Sequence, residues 1–239
     1  MTMRKNAIQH VREGLYDLYS KDDALYYTNL WKKFTEKTLS GVTTIRIEDV
    51  REVYRLDVDG RRFILKIDRY VPQRLEKKLR FIFFSPYFSR QMRAVHKALQ
   101  RGCRVIPDIF FVAEKKEGLI ITETCFIQEF IEGEHFKSVV EARDNAEAII
   151  GAVKELHRCG LAHCDLNLDN IFTTPEGVKF IDLSCFGSVF GGKGKDIERL
   201  QERFGIVFPI SSLAEKMAHT YTQVKFSLQN WLRSLGKKN

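Results

Sequence analysis

The feature that most constrains this fold is the stretch of 20 residues from His163 to Asp182. Its second half predicts two short apolar strands joined by a Thr-Pro-Glu-Gly turn, in which proline suits the second position. A hairpin of that length brings the start of its first strand beside the end of its second strand. We therefore expect Asn170 and Asp182 to meet at one end of the hairpin, with Asp165 one loop away.

Three oxygen-bearing side chains that converge in this way are typical of a site for a hard cation. Mg²⁺ takes few protein ligands and leaves coordination positions for nucleotide phosphates. This predicts Asn170 and Asp182 as metal ligands and Asp165 as the catalytic base that orients an attacking hydroxyl, the division of roles that phosphoryl transfer needs. Because positioning dominates such a reaction, Asp165 needs no raised pKa.

The spacing is similar to the protein-kinase pattern His-x-Asp-x-x-x-x-Asn followed by a metal-binding aspartate. The chain departs from it at Cys164, where kinases usually carry arginine, and at residues 181–184, where Ile-Asp-Leu-Ser replaces Asp-Phe-Gly. The alternative is an ordinary loop rich in Asp and Asn. Cys164 is not expected to be a nucleophile, since His163 is its only visible base and kinases use that histidine structurally.

A lysine in an apolar strand is the second informative feature. Lys66 stands in Phe-Ile-Leu-Lys-Ile on the third predicted strand, where kinases hold the lysine that meets the nucleotide phosphates. The alternative is an edge lysine whose ammonium group reaches solvent. Further along, residues 126–133 predict a hinge in which backbone groups near Glu129 and Ile131 pair with adenine. Together these residues predict ATP and Mg²⁺ as cofactors.

Strand patterns come first in the chain and helical patterns follow. This order predicts an α+β fold: a small antiparallel-sheet lobe over residues 1–131 and a mainly helical lobe over 132–239, the bilobal arrangement of protein kinases. The predicted strands cover residues 44–47, 53–58, 62–67, 109–113, 119–122 and 126–131. The predicted helices begin after Asp22 and Asp23, cover about 73–101 and 144–158, and start again at Ser212.

Composition excludes several other classes of protein. No apolar run approaches the length of a membrane span, and the first residues show no secretory signal. The five scattered cysteines form no Cys-x-x-Cys pair, which argues against a disulfide framework or a structural zinc site. A reducing cytoplasm is the expected location.

Several segments resemble the bacterial lipopolysaccharide core heptose kinases, especially the heptose(II) kinase (RfaY-type) family. The similar segments are residues 110–116, 128–133, 154–161, 180–184, 195–200 and 204–206. The resemblance implies a protein-kinase-like fold and transfer of the γ-phosphate of ATP to a heptose hydroxyl of the inner core. It also implies a lipid-linked acceptor at the cytoplasmic face of the inner membrane. By position, Asp165 would be the base, Asn170 and Asp182 the Mg²⁺ ligands, and Lys66 the phosphate lysine.

Three features depart from the wider kinase pattern. No glycine-rich loop precedes Val53, so cover for the phosphates must come from backbone or side chains around residues 48–52. No glutamate lies in residues 87–101 to pair with Lys66, which leaves Gln91, Glu76 or no partner. Asn167 stands where protein kinases usually place a lysine.

The net charge of +8 favours an anionic partner. Between Lys66 and Arg101 lie ten basic residues against two acidic ones, interleaved with aromatics, which predicts either a solvated helix face or contact with an anionic membrane. A kinase for a protein or for another small molecule is the first alternative function. A catalytically dead module that binds lipid or RNA is the second, although no nucleic-acid motif is present.

Overall fold

The computed structural model describes residues 8–69, 88–118, 120–183, 189–210, 216–217 and 220. Most of the predicted final helix from Ser212 and the part of the basic helix before Phe88 lie outside these residues. The chain divides into two compact units. The first, here called the sheet unit, comprises Met1–His96 and Pro107–Phe130, and the second, the helical unit, comprises Lys97–Ile106 and Ile131–Asn239. The predicted boundary at residue 131 stays a prediction.

The sheet unit contains seven antiparallel strands in the order β1-β2-β6-β7-β5-β4-β3. Their bounds are β1 Gln9–Glu13, β2 Tyr16–Ser20, β3 Val42–Ile47, β4 Arg51–Val58, β5 Arg61–Arg69, β6 Ile109–Glu117 and β7 Ile120–Glu129. Helix α1, Ala24–Thr35, begins where the side chain of Asp23 accepts a hydrogen bond from the Tyr26 amide. Helix α2, Phe88–Gln100, is assigned partly to each unit.

The apolar core of the sheet unit lies between α1 and one face of the sheet. Tyr27, Leu30 and Trp31 of α1 are buried in it with Phe63 and Phe111 of the strands. The Tyr27 ring stacks on Phe110 at 5.2 Å, and Trp31 meets Phe111 at 5.8 Å. Phe63, Leu65 and Ile67 of β5 all lie in this core, because every second side chain of a strand points to the same face.

The helical unit contains the remaining elements. They are β8 Glu134–His135, α3 Val139–Asp144, α4 Ala146–Arg158, β9 Ile171–Thr174, β10 Gly177–Phe180 and α5 Val189–Arg199, followed by a π-helical turn, Leu200–Phe204. Helix α4 buries Ile149, Val153 and Leu156 on one face, as its period predicts. The three strands form an antiparallel sheet in the order β10-β9-β8.

The sequence-based element boundaries were wrong at two places. Residues 119–122 and 126–131, predicted as two strands, belong largely to the single strand β7, which pairs with β6 on one side and β5 on the other. Residues 9–20 form a hairpin of β1 and β2, where no strand was predicted. Among the described helices, none has the length and apolar composition that a bilayer crossing requires.

Candidate active site

The loop between α4 and β9 is held by a buried histidine. His163 is fully buried, its Nδ1 accepts the Asp165 amide at 3.3 Å, and its Nε2 donates to the Ile181 carbonyl at 2.7 Å. Burial lowers the pKa of His163, although the nearby Asp196 carboxylate opposes the shift. His163 is therefore neutral and connects the loop to Ile181, the residue after β10. This agrees with the structural role predicted for it.

Asp196 of α5 holds the same loop through hydrogen bonds to its backbone. Its carboxylate is fully buried and accepts hydrogen bonds from the amides of His163 at 2.8 Å and Cys164 at 2.6 Å. It also accepts one from His157 Nε2 at 2.9 Å. Sequence reasoning assigned no role to Asp196, and the only available signal was its place within a segment of the family resemblance, residues 195–200.

Cys164 has a left-handed backbone conformation, with φ of 67°. Such a conformation is uncommon in a residue with a side chain and turns the chain sharply. The two amides of His163 and Cys164 then point at one carboxylate, and the following residue, Asp165, turns outward. The side chain of Cys164 is buried. The unusual backbone conformation of Cys164 is thus explained by the sharp turn of the loop.

The three predicted site residues of the helical unit are linked through backbone and amide contacts. Asn170 Nδ2 donates to the Asp165 carbonyl at 3.0 Å, and the Ile181 amide donates to the Asn170 carbonyl at 3.1 Å. Asp182 is the next residue, with φ of 57°. The hairpin of β9 and β10 pairs Ile171 with Phe180 and so brings these ends together, as its spacing predicted.

The oxygen atoms at this end of the hairpin fit a magnesium ion. The amide nitrogen of Asn170 is fixed on the loop, while its Oδ1 has no hydrogen-bond partner among the described residues. The adjacent Asp182 is exposed. One amide oxygen and one carboxylate are the kind and number of protein ligands that Mg²⁺ takes beside nucleotide phosphates. No group of three or more acidic, cysteine or histidine side chains placed to hold a metal ion occurs among the described residues, and this donor set needs none.

Arg203 is a cation beside Asp165 that sequence reasoning missed. It lies on the π-helical turn after α5, and its Nη1 donates to the Leu166 carbonyl at 3.0 Å. Its Nη2 is 3.6 Å from Asp165 Oδ1. The two side chains are 36% and 45% exposed, so the pair lies at the surface of the helical unit.

Lys66 lies on β5 in the sheet unit and is buried. Burial, helped by the neighbouring Arg51 guanidinium and opposed by Asp68, lowers the pKa of Lys66 to about 7. Its Nζ is 5.7 Å from the centre of the Phe126 ring, on which Phe88 of α2 stacks at 4.6 Å. Burial of an ammonium group is costly unless an anion offsets its charge.

The residues predicted to cover the phosphates, 48–52, lie in the turn between β3 and β4 and at the start of β4. Glu48 and Arg51 exchange backbone hydrogen bonds of 2.8 and 3.2 Å across two intervening residues. The Arg51 side chain makes a two-point contact with Asp68 through Nε at 2.6 Å and Nη2 at 3.2 Å. Arg51 and Lys66 are thus basic side chains on neighbouring strands of one sheet.

Gln91, one candidate partner of Lys66, is buried on α2, and its Oε1 has no hydrogen-bond partner in the part of the chain that the structure describes. Gln91 Oε1 therefore accepts no hydrogen bond from Lys66, which is the contact that a helix glutamate makes in protein kinases. Glu76, the other candidate, lies outside the described residues.

The hinge residues lie at the end of β7 and just beyond it. The Glu129 amide already donates to the Asp108 carbonyl at 2.9 Å, and Glu129 Oε2 accepts the Asp108 amide at 3.1 Å. The Glu129 amide is therefore occupied, while Ile131 is buried. Pairing of adenine with backbone groups near these two residues stays a prediction.

Comparison with known proteins identifies relatives over most of the chain. Two Escherichia coli proteins named lipopolysaccharide core heptose(II) kinase WaaY, one from strain K12, are 22% and 23% identical to the chain over 200 and 197 residues. These alignments cover 83% and 82% of the chain and 87% and 85% of the relatives.

The solved structure of WaaP in complex with acyl carrier protein aligns over 89% of this chain and 95% of that one, with a TM-score of 0.51 and 15% identity. At that identity the likeness shows the fold alone, and it confirms the kinase-like α+β fold predicted from sequence. Residues 7–238 match the family model described as lipopolysaccharide core biosynthesis protein (WaaY). The chain therefore belongs to the WaaY family of lipopolysaccharide core biosynthesis proteins.

Proposed function

We propose that this protein is a kinase that transfers the γ-phosphate of ATP to a heptose hydroxyl of the lipopolysaccharide inner core. Membership of the WaaY family and the activity in the names of its two curated relatives support the reaction and the acceptor. The observation that carries the proposal is the linked geometry of the helical unit. Asn170 bonds both to the Asp165 backbone and to the strand end that precedes Asp182.

In this reaction Asp165 is the catalytic base. Its carboxylate accepts the proton of the acceptor hydroxyl while the hydroxyl oxygen forms a bond to the γ-phosphorus. The bond between that phosphorus and the β–γ bridging oxygen breaks, and ADP leaves with the electron pair. The products are a sugar phosphomonoester, ADP and a proton that Asp165 later returns to water. His163 and Asp196 hold the loop so that Asp165 presents its carboxylate in a fixed place.

Asn170 and Asp182 would hold Mg²⁺, which neutralises phosphate charge when bound. The Asn170 amide is oriented for this by its bond to the Asp165 carbonyl, which turns Oδ1 away from the loop. The left-handed conformation of Asp182 ends β10 sharply and exposes the carboxylate beside Asn170.

Lys66 would meet the nucleotide phosphates, and an anion there would offset the cost of burying its charge. Arg51, at the start of β4, would add a second positive group to the phosphates. Adenine would pair with backbone groups near Glu129 and Ile131. An acceptor on a lipid places the enzyme at the cytoplasmic face of the inner membrane, with peripheral contact to anionic lipid.

A comparison of acceptors tests this function. The purified protein is incubated with ATP and Mg²⁺ and with inner-core oligosaccharide, a generic protein substrate or an aminoglycoside, and ADP release is measured for each. We expect ADP release above the no-acceptor rate with the oligosaccharide alone. ADP release with only the generic protein or the aminoglycoside would support a kinase activity but would exclude a heptose as its acceptor. Absence of both release and Mg·ATP binding would leave a kinase-shaped binding module.

A further inference from the structure

The catalytic loop lacks a cation of its own. From His163 to Asn170 it contains no lysine or arginine, and burial keeps His163 neutral. Asn167 stands where protein kinases usually place a lysine, and its Oδ1 accepts the Asn170 amide at 3.0 Å. The side chain of Asn167 thus caps the short helical turn at residues 168–170. Another part of the chain must supply any positive charge beside Asp165.

Arg203 is placed to do this from outside the loop. Its backbone lies in the π-helical turn, where Leu200 and Phe204 are fully buried. Gly205 ends the turn with φ of 66°, and Arg143 Nε donates to the Phe204 carbonyl. These contacts fix the point from which the Arg203 side chain extends.

The guanidinium group of Arg203 makes two contacts with the catalytic loop. Nη1 donates to the Leu166 carbonyl at 3.0 Å, and Nη2 lies 3.6 Å from Asp165 Oδ1. A planar guanidinium can hold two acceptors in fixed relative positions, which an ammonium group cannot do. Because the ion pair is half-exposed, it adds little to the stability of the fold. Its geometry is better explained by a role in the reaction.

We propose that Arg203 is a positioning residue for Asp165, and this inference rests on the proposed kinase function. By holding Oδ1 of the carboxylate and the carbonyl of the next residue, Arg203 directs Oδ2 toward the acceptor hydroxyl. The positive charge that other kinases carry within the loop is supplied here from the turn after α5. Arg203 acts through Asp165 and need not touch either substrate.

The test compares Arg203→Met with a matched variant, Arg199→Met. Both remove one guanidinium from the same helical segment, but Arg199 pairs with Glu202 at 3.5 Å and not with the loop. Steady-state rates are measured with varied ATP and varied inner-core oligosaccharide. We expect Arg203→Met to lower kcat about 10- to 100-fold with both KM values nearly unchanged, because a misplaced catalytic group costs rate rather than binding. Arg199→Met should keep the wild-type kcat.

Chemical rescue separates positioning from a structural role. Free guanidinium added to Arg203→Ala should restore part of kcat, whereas a misfolded loop would not respond. Wild-type kcat in Arg203→Met, a raised acceptor KM with unchanged kcat, or lost activity without rescue would each overturn the inference. If the wild type transfers no phosphate to the oligosaccharide, the proposed function fails instead. The rates of the two variants with whichever acceptor the enzyme uses then still decide the role of Arg203.

Discussion

Asp196 places a negative charge in the interior of the helical unit. The charge is tolerated because three N–H groups, from His157, His163 and Cys164, donate to it. Two of these groups belong to the loop that carries Asp165. The stability of the fold and the position of Asp165, the proposed catalytic base, therefore depend on the same carboxylate.

Replacement of Asp196 tests this dependence. In Asp196→Ala the three donors lose their acceptor in a buried place, which should lower the free energy of unfolding by about 3–5 kcal/mol. The measurement is chemical denaturation followed by circular dichroism. Asp144→Ala, at an exposed aspartate of the same unit, is the control and should change stability by less than about 0.5 kcal/mol. Equal stabilities of the two variants would refute the anchoring role.

We predict that Lys66 makes ATP binding depend on pH. In the free protein its pKa is lowered to about 7, so the group is largely neutral above that pH. Bound phosphates favour the charged form and raise this pKa, so binding above pH 7 takes up a proton. ATP affinity should fall as the pH rises from about 7.5 to 9, by at most tenfold per pH unit.

Calorimetric titration of ATP into wild type and Lys66→Met at several pH values measures this effect. The variant should bind more weakly, and its affinity should lack the component of the pH dependence that Lys66 supplies. Protonation of ATP itself affects both proteins equally, so the difference between their affinity profiles excludes its contribution. Parallel profiles for the two proteins would show that Lys66 does not meet the phosphates.

At the scale of elements, the hairpin of β9 and β10 packs closely against the segment that leads into β8. A Cβ atom on Gly133 would lie 2.3 Å from the Thr173 carbonyl oxygen. The two atoms would overlap at that distance, so any residue with a side chain would require a backbone shift here. Next along the chain, β8 pairs Glu134 with Thr173 and His135 with Phe172. The hairpin that ends at Asn170 and Asp182 is thus supported along β9, the middle strand of its sheet, by this contact.

Gly133→Ala should weaken that support. We expect a loss of about 1–3 kcal/mol in the free energy of unfolding, because the added methyl group meets backbone rather than a movable side chain. Gly151→Ala is a suitable control, since a Cβ there meets nothing within 4 Å in helix α4. That variant should be stabilised by up to about 1 kcal/mol. Thermal unfolding of both proteins gives the comparison, and a stabilised Gly133→Ala would contradict the close approach.

Local pattern predicted most of the described elements. The Asp59–Gly60 turn between β4 and β5 has positive φ at both residues, which an Asp-Gly pair tolerates, and the span of α4 follows its apolar period. The β1–β2 hairpin was missed because every residue of β1 is exposed and shows no alternation of burial. β7 was divided because Thr122 to Thr124 interrupt its apolar residues, whereas pairing on both sides keeps the strand continuous.

The site was predictable only where its residues lie close in sequence. Asn170 and Asp182 are joined by one hairpin, so spacing alone places them together. Asp196 and Arg203 reach the loop from a later helix and the turn that follows it, through contacts 31 to 38 residues away from Asp165 in the chain. No local periodicity reports such a contact. Long-range packing decides which of the many charged residues in that helix points inward.

At the scale of the whole molecule, the net charge of +8 suits work beside an anionic surface. Each basic residue near such a surface contributes about 1 kcal/mol of attraction, so the protein should sediment with vesicles that contain anionic lipid. Binding should weaken as salt rises to about 0.5 M, since screening shortens the reach of surface charge. Vesicles of zwitterionic lipid are the control. Equal sedimentation with both kinds of vesicle, or none with either, would refute a contact between the protein and anionic membranes.

Phosphorylation of a heptose at the Asp165 site can be tested by ³¹P NMR of purified inner-core oligosaccharide after incubation with protein, ATP and Mg²⁺, beside an Asp165→Ala control. The proposed reaction should give a new phosphomonoester signal coupled to a heptose proton with the wild type and none with the variant. No such signal from a wild-type protein that binds Mg·ATP, or a signal of equal size from Asp165→Ala, would contradict it.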